Sequence, residues 1–314
     1  MDKFHPIDMS VWQGRQDPED GELALRWHDK VQPWPQAGSA AAGVALVGFA
    51  CDEGVRRNKG RVGAAGAPLA VRKLLANSAW HLGRPVYDSG DVNCEDGDLD
   101  AAHGRLAERV ASLLDEGHFP LVLGGGHEVA FGSWSGLNRH LAGRGRVGII
   151  NFDAHFDLRM KLEQASSGTP FFQIAEQCAA QGSPFTYACL GVAETANTQA
   201  LFARAEALGV WHVLDEAMTP AELPALLSGL DAFIARCDHL YLTIDLDVLP
   251  AAVMPGVSAP AARGVELAVI EPLIAHIRAS GKLRLADLAE YNPSLDQDNR
   301  SARVAARLVH QLTK

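Results

Sequence analysis

The chain has 314 residues, 47% of them hydrophobic, and its 28 basic and 38 acidic side chains give a formal net charge of −10. That balance argues against a nucleic-acid or anionic-membrane partner, which would call for a basic patch. Five scattered cysteines without a Cys-x-x-Cys pair argue against a disulfide framework or zinc ribbon, and the absence of a signal-peptide pattern or a long apolar run makes the cytoplasm the expected location.

Residues 1–42 are polar, with Trp12, Trp27 and Trp34 set among prolines and charges. They read as an extended N-terminal arm, with a short helix near 19–28, packed on the core or on a neighbouring subunit by its tryptophans. From Gly43 the pattern turns regular. An apolar run over 43–49 reads as a strand, followed by an Arg- and Gly-rich loop from Asp52 to Gly66. A helix opened by Pro68 comes next, with Leu69, Val71, Leu74 and Leu75 at helical spacing. A strand near 85–88, a helix over 98–116, a strand over 119–123 with a helix behind it, and a strand over 146–152 follow. Further strands fall near 186–192, 209–214, 239–246 and 283–288, and helices near 170–181, 196–208, 219–236, 264–280 and 297–313. Parallel neighbours need crossover connections, so this succession implies an α/β fold with a mainly parallel sheet and helices on both faces. Residues 43–314 read as a single domain. Ligands in such folds collect outside the carboxyl ends of the strands.

Three of those ends carry unusual residues. Leu121-Val122-Leu123 stops in Gly124-Gly125-Gly126-His127, where glycines let the backbone turn tightly and bring His127 to the rim; alone, this also fits a histidine that merely opens a helix. Val147 to Ile150 leads into Asn151-Phe152-Asp153-Ala154-His155-Phe156-Asp157, with three ligand-type side chains at every second position. An apolar core does not accept two carboxylates there without positive charge between them, although a strand running into a solvated acidic loop would look the same. Tyr241 to Pro250 places Asp245 and Asp247 on one face of an otherwise apolar run, where two like charges either raise one pKa or require a cation. Together the ends offer two histidines and four aspartates. Such carboxylate-rich ligation suits a hard or borderline ion such as Mn²⁺, and six ligands suffice to bridge two ions.

Gly125-Gly126-His127, Asp153-Ala154-His155-Phe156-Asp157 and Thr243-Ile244-Asp245-Leu246-Asp247 resemble, in order and spacing, the metal motifs of the ureohydrolase (arginase and agmatinase) family. The resemblance runs from about residue 43 to the C-terminus. It implies a three-layer α/β/α sandwich around an eight-stranded, mainly parallel sheet, with two Mn²⁺ per subunit. One ion would take His127, Asp153, Asp157 and Asp245; the other would take His155 and Asp247, with Asp153 and Asp245 bridging. Glu290, in Glu290-Tyr291-Asn292-Pro293, matches the family position that receives the substrate's amidine-type group. Two ions sharing a water lower its pKa enough to supply hydroxide near neutral pH. Asp157 would donate a proton to the departing nitrogen.

Three departures narrow the resemblance. Ser167 stands where arginases and agmatinases carry a histidine, Gly126 replaces the aspartate before His127, and Leu249-Pro250-Ala251-Ala252 replaces Leu-Asp-Pro-Ala. With Trp12-Gln13-Gly14-Arg15 and the Arg56–Gly63 stretch, they are similar to the formimidoylglutamase branch, whose members cleave N-formimidoyl-L-glutamate to L-glutamate and formamide in histidine degradation. A dicarboxylate substrate calls for cations beyond the metals. Arg159, Arg57 and Arg61 are the expected clamps, since arginine grips a carboxylate with two parallel bonds. Ser167, Asn197 and Thr198 are further expected contacts. A guanidino-acid or agmatine hydrolase releasing urea is the rival reading; a metal-binding but catalytically silent member, the remote one. Relatives of this kind commonly form homo-oligomers, which is the expected state.

Overall fold

Every second side chain of Val44-Ala45-Leu46-Val47-Gly48-Phe49 faces the same way, and the two sets enter different cores: Val44 and Leu46 pack in one, Ala45, Val47 and Phe49 in the other. A strand buried on both faces needs a layer of helices on each side. In the computed structural model, which describes residues 4, 5, 7–35 and 41–314, that is the arrangement.

In chain order the elements begin with β1 (Phe4–His5), α1 (Trp27–Lys30), β2 (Gln32–Pro33), β3 (Val44–Ala50), α2 (Glu53–Arg57), α3 (Ala67–Leu75), β4 (Val86–Asn93), α4 (Leu99–Asp115), β5 (Phe119–Leu123), α5 (Val129–Leu141) and β6 (Val147–Phe152). There follow α6 (Pro170–Gln181), β7 (Tyr187–Val192), α7 (Gln199–Ala207), β8 (Trp211–Leu214), α8 (Leu223–Ile234), β9 (His239–Asp245), α9 (Leu267–Ala279), β10 (Leu283–Ala289) and α10 (Arg300–Thr313). The strands join in one sheet of order β1-β4-β3-β5-β10-β9-β6-β7-β8, with β2 also on β4. Every pairing is parallel except β1 with β4. Helices α3, α8, α9 and α10 cover one face and α4 to α7 the other. The eight strands β3 to β10 form the parallel sheet expected from the sequence, and the two-residue strands β1 and β2 are additions at its edge.

Four local expectations change. The strand placed near 85–88 runs on to Asn93, because the polar run Asp88-Ser89-Gly90-Asp91 is satisfied inside: the buried Arg72 guanidinium donates to Asp88 Oδ2 and Oδ1 at 2.8 and 2.9 Å and to Asp91 Oδ1 at 2.6 Å. The helix expected near 19–28 is instead a 3₁₀ segment, Pro18–Ala24, interrupted by Gly21 at φ 57°, followed by α1. Within the Asp52–Gly66 loop lies α2. Strand β9 stops at Asp245, so Asp247 sits in a 3₁₀ turn rather than on the strand.

Among residues 7–35, the Trp12 indole donates to Asp88 Oδ2 at 2.8 Å, and Trp27 is fully buried edge-on to Trp80, 5.4 Å between ring centroids. Trp34 packs edge-on to His118 beneath the Arg109 guanidinium. Residues 1–3, 6 and 36–40 of the expected arm lie outside the described residues. No helix among the described residues is long and apolar enough to cross a membrane.

Candidate metal centre

The central strands β5, β10, β9 and β6 are neighbours, and all four end at the same edge of the sheet. After β5 the chain must pass beneath the end of β3. A Cβ on Gly125 would fall 1.6 Å from the Cys51 carbonyl oxygen, so only glycine fits. The turn directs His127 inward, and the residue is buried rather than at the rim expected from the sequence. Its Nε2 lies 3.0 Å from Thr243 Oγ1 on β9, which fixes the ring.

Nδ1 of His127 then faces three carboxylates, at 3.0 Å from Asp153, 2.9 Å from Asp157 and 3.1 Å from Asp245. It is in hydrogen-bond geometry with none of them, and Oδ1 of Asp247 is likewise buried without a partner. Ligand atoms of His127, Asp153, Asp157 and Asp245 all lie within 4.8 Å of one another, as do those of Asp153, His155 and Asp247. Asp153 is common to both groups. Asp245 belongs to the first alone, its Oδ1 accepting the Asp247 N–H at 2.8 Å. Close approach without hydrogen bonding, in an oxygen-rich set with two imidazoles, fits a pair of hard or borderline divalent ions.

The electrostatics agree. Burial raises the Asp245 carboxyl well above its ordinary value, and Asp247 and Asp153 push it further; burial and Asp153 do the same to Asp157. For His127, burial alone would lower the pKa, but the three carboxylates outweigh it; His155 is raised chiefly by Asp247. Asp153 is lowered, because the two imidazoles overcome the effect of burial. So dense an anionic cluster calls for cations.

Glu290, at the end of β10, takes the His127 N–H on Oε1 at 2.9 Å with its own backbone at φ 66°. Burial, and then the neighbouring Glu128, lift its pKa to about 8. Glu128 itself is raised by burial to about 7.

Above these groups opens a cavity of about 430 Å³, with His155, Asp157, Asp245, Asp247 and Glu290 on its walls. Of the expected substrate contacts, Arg159, Arg61, Ser167 and Asn197 also line it. Arg57 and Thr198 do not; they face an adjoining cavity. Arg57 is turned away because its Nε donates to Glu53 Oε1 at 2.7 Å and a second nitrogen to Gly97 O at 2.9 Å, which neutralises and anchors it. Arg61 spends its guanidinium on the carbonyls of Ser258 and Val257. Asn197 spends its amide on backbone as well: it donates to Ala154 O and Ala193 O, both at 2.9 Å, and accepts the Phe156 N–H at 3.1 Å. It therefore braces the segment that carries Asp153, His155 and Asp157. Sequence reasoning passed over Lys59 and Asn58, which line the same cavity.

The sequence model of the Arginase family matches residues 42–314. The chain belongs to the arginase family. Within it, the chain is 97% identical, over all of both sequences, to a protein of Aeromonas hydrophila subsp. hydrophila named formimidoylglutamase. Among solved structures, formimidoylglutamase from Bacillus subtilis superposes with a TM-score of 0.83 at 23% identity, covering 96% of this chain and 93% of that one. Trypanosoma cruzi formiminoglutamase with Mn²⁺ gives 0.78 at 24% identity, covering 98% of each chain. These likenesses establish the arginase-family α/β sandwich. As an arginase-family member the chain is an enzyme, a hydrolase acting on amidine C–N bonds.

Proposed function

We propose that the chain hydrolyses N-formimidoyl-L-glutamate to L-glutamate and formamide, in histidine degradation, with two Mn²⁺ per subunit. The observation that carries this reading is that two ligand groups meet at Asp153 beneath a cavity holding Glu290 and unneutralised cations. The 97% identity to a protein named formimidoylglutamase supports the substrate. In this reading His127, Asp153, Asp157 and Asp245 hold one ion, and His155 and Asp247 hold the other with Asp153 shared. When bound, the ions would lower the pKa of a water and polarise the group it attacks.

The residues of the chain do the rest. Glu290, projecting into the cavity beside both groups, holds the formimidoyl nitrogens by charge-assisted hydrogen bonds and turns the electron-poor carbon toward the metal groups. Water oxygen adds to that carbon, the bond from carbon to the glutamate nitrogen breaks, and the departing amine gains a proton. Asp157, one of the two ligands of the first group that line the cavity, is positioned to supply it. Arg159 and Ser167, which line the same cavity, contact the amino-acid end. The same reading takes residues 43–314 as the catalytic domain and 1–42 as an arm, in a cytoplasmic homo-oligomer.

The test is product analysis on purified protein with Mn²⁺, offered N-formimidoyl-L-glutamate, agmatine and guanidino acids. Glutamate and formamide are the expected products. Urea released from a guanidino compound at higher efficiency would overturn the substrate, and no turnover of any would leave a silent metal protein.

A further inference from the structure

We propose that Lys59 is a specificity-determining residue that, together with Arg159, holds the substrate carboxylate farthest from the metal groups. The proposal rests on the dicarboxylate reading above and adds a residue to it. Helix α2 ends in a paired closure: the Lys59 N–H donates to Arg56 O at 3.1 Å and the Gly60 N–H to Val55 O at 2.8 Å. That pattern puts the first residue past the cap in the left-handed region, where glycine is usual. Here it is lysine, at φ 62°. Asp157 and Glu290, two other non-glycine residues with positive φ, line the same cavity. Backbone strain of this kind gathers where a side chain must be held in one place.

The other cations near the cavity are committed. Arg61 holds two carbonyls and Arg57 is neutralised by Glu53. Among the described residues, the side chains of Lys59 and Arg159 make no hydrogen bond or ion pair. Both also line the adjoining cavity of about 760 Å³, so they stand on the wall between the two. That second cavity is also lined by Arg204 and by Arg56 and Arg57, which share the single carboxylate of Glu53, and no carboxylate lines it, in a chain of net charge −10. A local positive field of this sort draws in and orients an anion. The two loops meet because residue 168 is glycine: a Cβ there would lie 2.9 Å from Arg159 Cδ and 3.2 Å from the Asn58 side chain.

The test is calorimetric titration of manganese-loaded enzyme with glutarate and with butyrate, alongside steady-state kinetics. Lys59→Gly relaxes the strained backbone while removing the charge, so it is expected to melt no lower than the parent and to keep its metal. It is expected to weaken glutarate by about tenfold or more, the range of a lost charged hydrogen bond, with butyrate changed by no more than about twofold. KM for N-formimidoyl-L-glutamate rises more than kcat falls, and Lys59→Arg recovers most of the loss. Equal weakening of both acids, or unchanged glutarate binding in folded, metal-loaded Lys59→Gly, would overturn the proposal. Loss of glutarate preference in a protein whose parent releases no formamide would instead sustain the carboxylate site and reject the substrate.

Discussion

The proposed reading gives Glu290 two tasks. Oε1 accepts the His127 N–H and so helps position the first metal group from behind, while the side chain as a whole projects into the cavity. Glutamine preserves the first task, since its amide oxygen still accepts that N–H, and removes the carboxyl that a cationic formimidoyl group, by lowering its pKa from about 8, would hold ionised for the second. Glu290→Gln is therefore expected to retain metal and fold while kcat/KM for the formimidoyl substrate falls by about a hundredfold or more, as for other buried charged contacts to a reacting group. Metal analysis and kinetics on the same sample check this, and a metal-depleted variant would show that the residue acts on the ligands instead. The arginines teach a different lesson. Arg57 looked like a substrate clamp because the Asp52–Gly66 stretch, rich in Arg and Gly, read as a loop. Glu53 stands four residues before it, the spacing of a helical ion pair, and a helix there takes the charge out of play. Lys59 was invisible for the matching reason: only the end of α2 tells where its backbone turns left-handed.

At the scale of elements, one loop braces another. Asn197, in the turn between β7 and α7, satisfies three backbone groups, two of them in the segment 153–157. Asn197→Ala leaves the buried Phe156 N–H unpaired, at about 1–3 kcal/mol before relaxation, and removes two bonds to Ala154 O and Ala193 O, which keep their backbone partners Ala193 N–H and Ala196 N–H. A loss of roughly 2–3 kcal/mol in urea unfolding is expected. Weaker Mn²⁺ binding should accompany it, since His155 and Asp157 ride on the freed segment. Unchanged metal affinity in the destabilised variant would reduce Asn197 to a purely structural role. Helix α4 supplies a pH test at a residue that holds neither the metal groups nor the cavity wall. His103 is buried against Phe49 and Phe131, and burial lowers its pKa to about 4 from an ordinary 6.5. The folded state keeps the ring neutral while the unfolded chain protonates it below 6.5. The corresponding stability is complete above pH 6.5 and is lost as pH falls toward 4, by roughly 3 kcal/mol in all. His103→Leu should flatten that part of the acid unfolding profile. The positions of elements were legible because Val44–Ala50, Phe119–Leu123 and His239–Asp245 are apolar runs bounded by turn residues. The Asp88–Asp91 half of β4 was not, since its carboxylates are made acceptable by Arg72, a residue of α3 that no local pattern links to them.

Across the whole molecule, the ligand set draws on three of four adjacent strand ends, β5, β9 and β6, with Glu290 closing the row from β10. In the apo protein the crowded carboxylates there oppose one another, as the raised pKa values of Asp157 and Asp245 record. Ions bound to the native state alone relieve that opposition and tie the strand ends together, and an unfolded chain offers no comparable site. Stability should then rise with Mn²⁺ by mass action, about 2.7 kcal/mol when free metal is a hundred times the dissociation constant. Because the ligands bind metal in their deprotonated forms, the gain should shrink as pH falls. Asp153→Ala is the decisive control, being shared by both groups: its melting temperature should no longer respond to Mn²⁺, whereas a substitution in the Trp12–Asp88 contact should lower stability and leave the metal response intact. Thermal melts of chelated and Mn²⁺-loaded samples across a pH series read both effects. An equal Mn²⁺ shift in Asp153→Ala would mean that the stabilising ions sit somewhere other than between these strand ends.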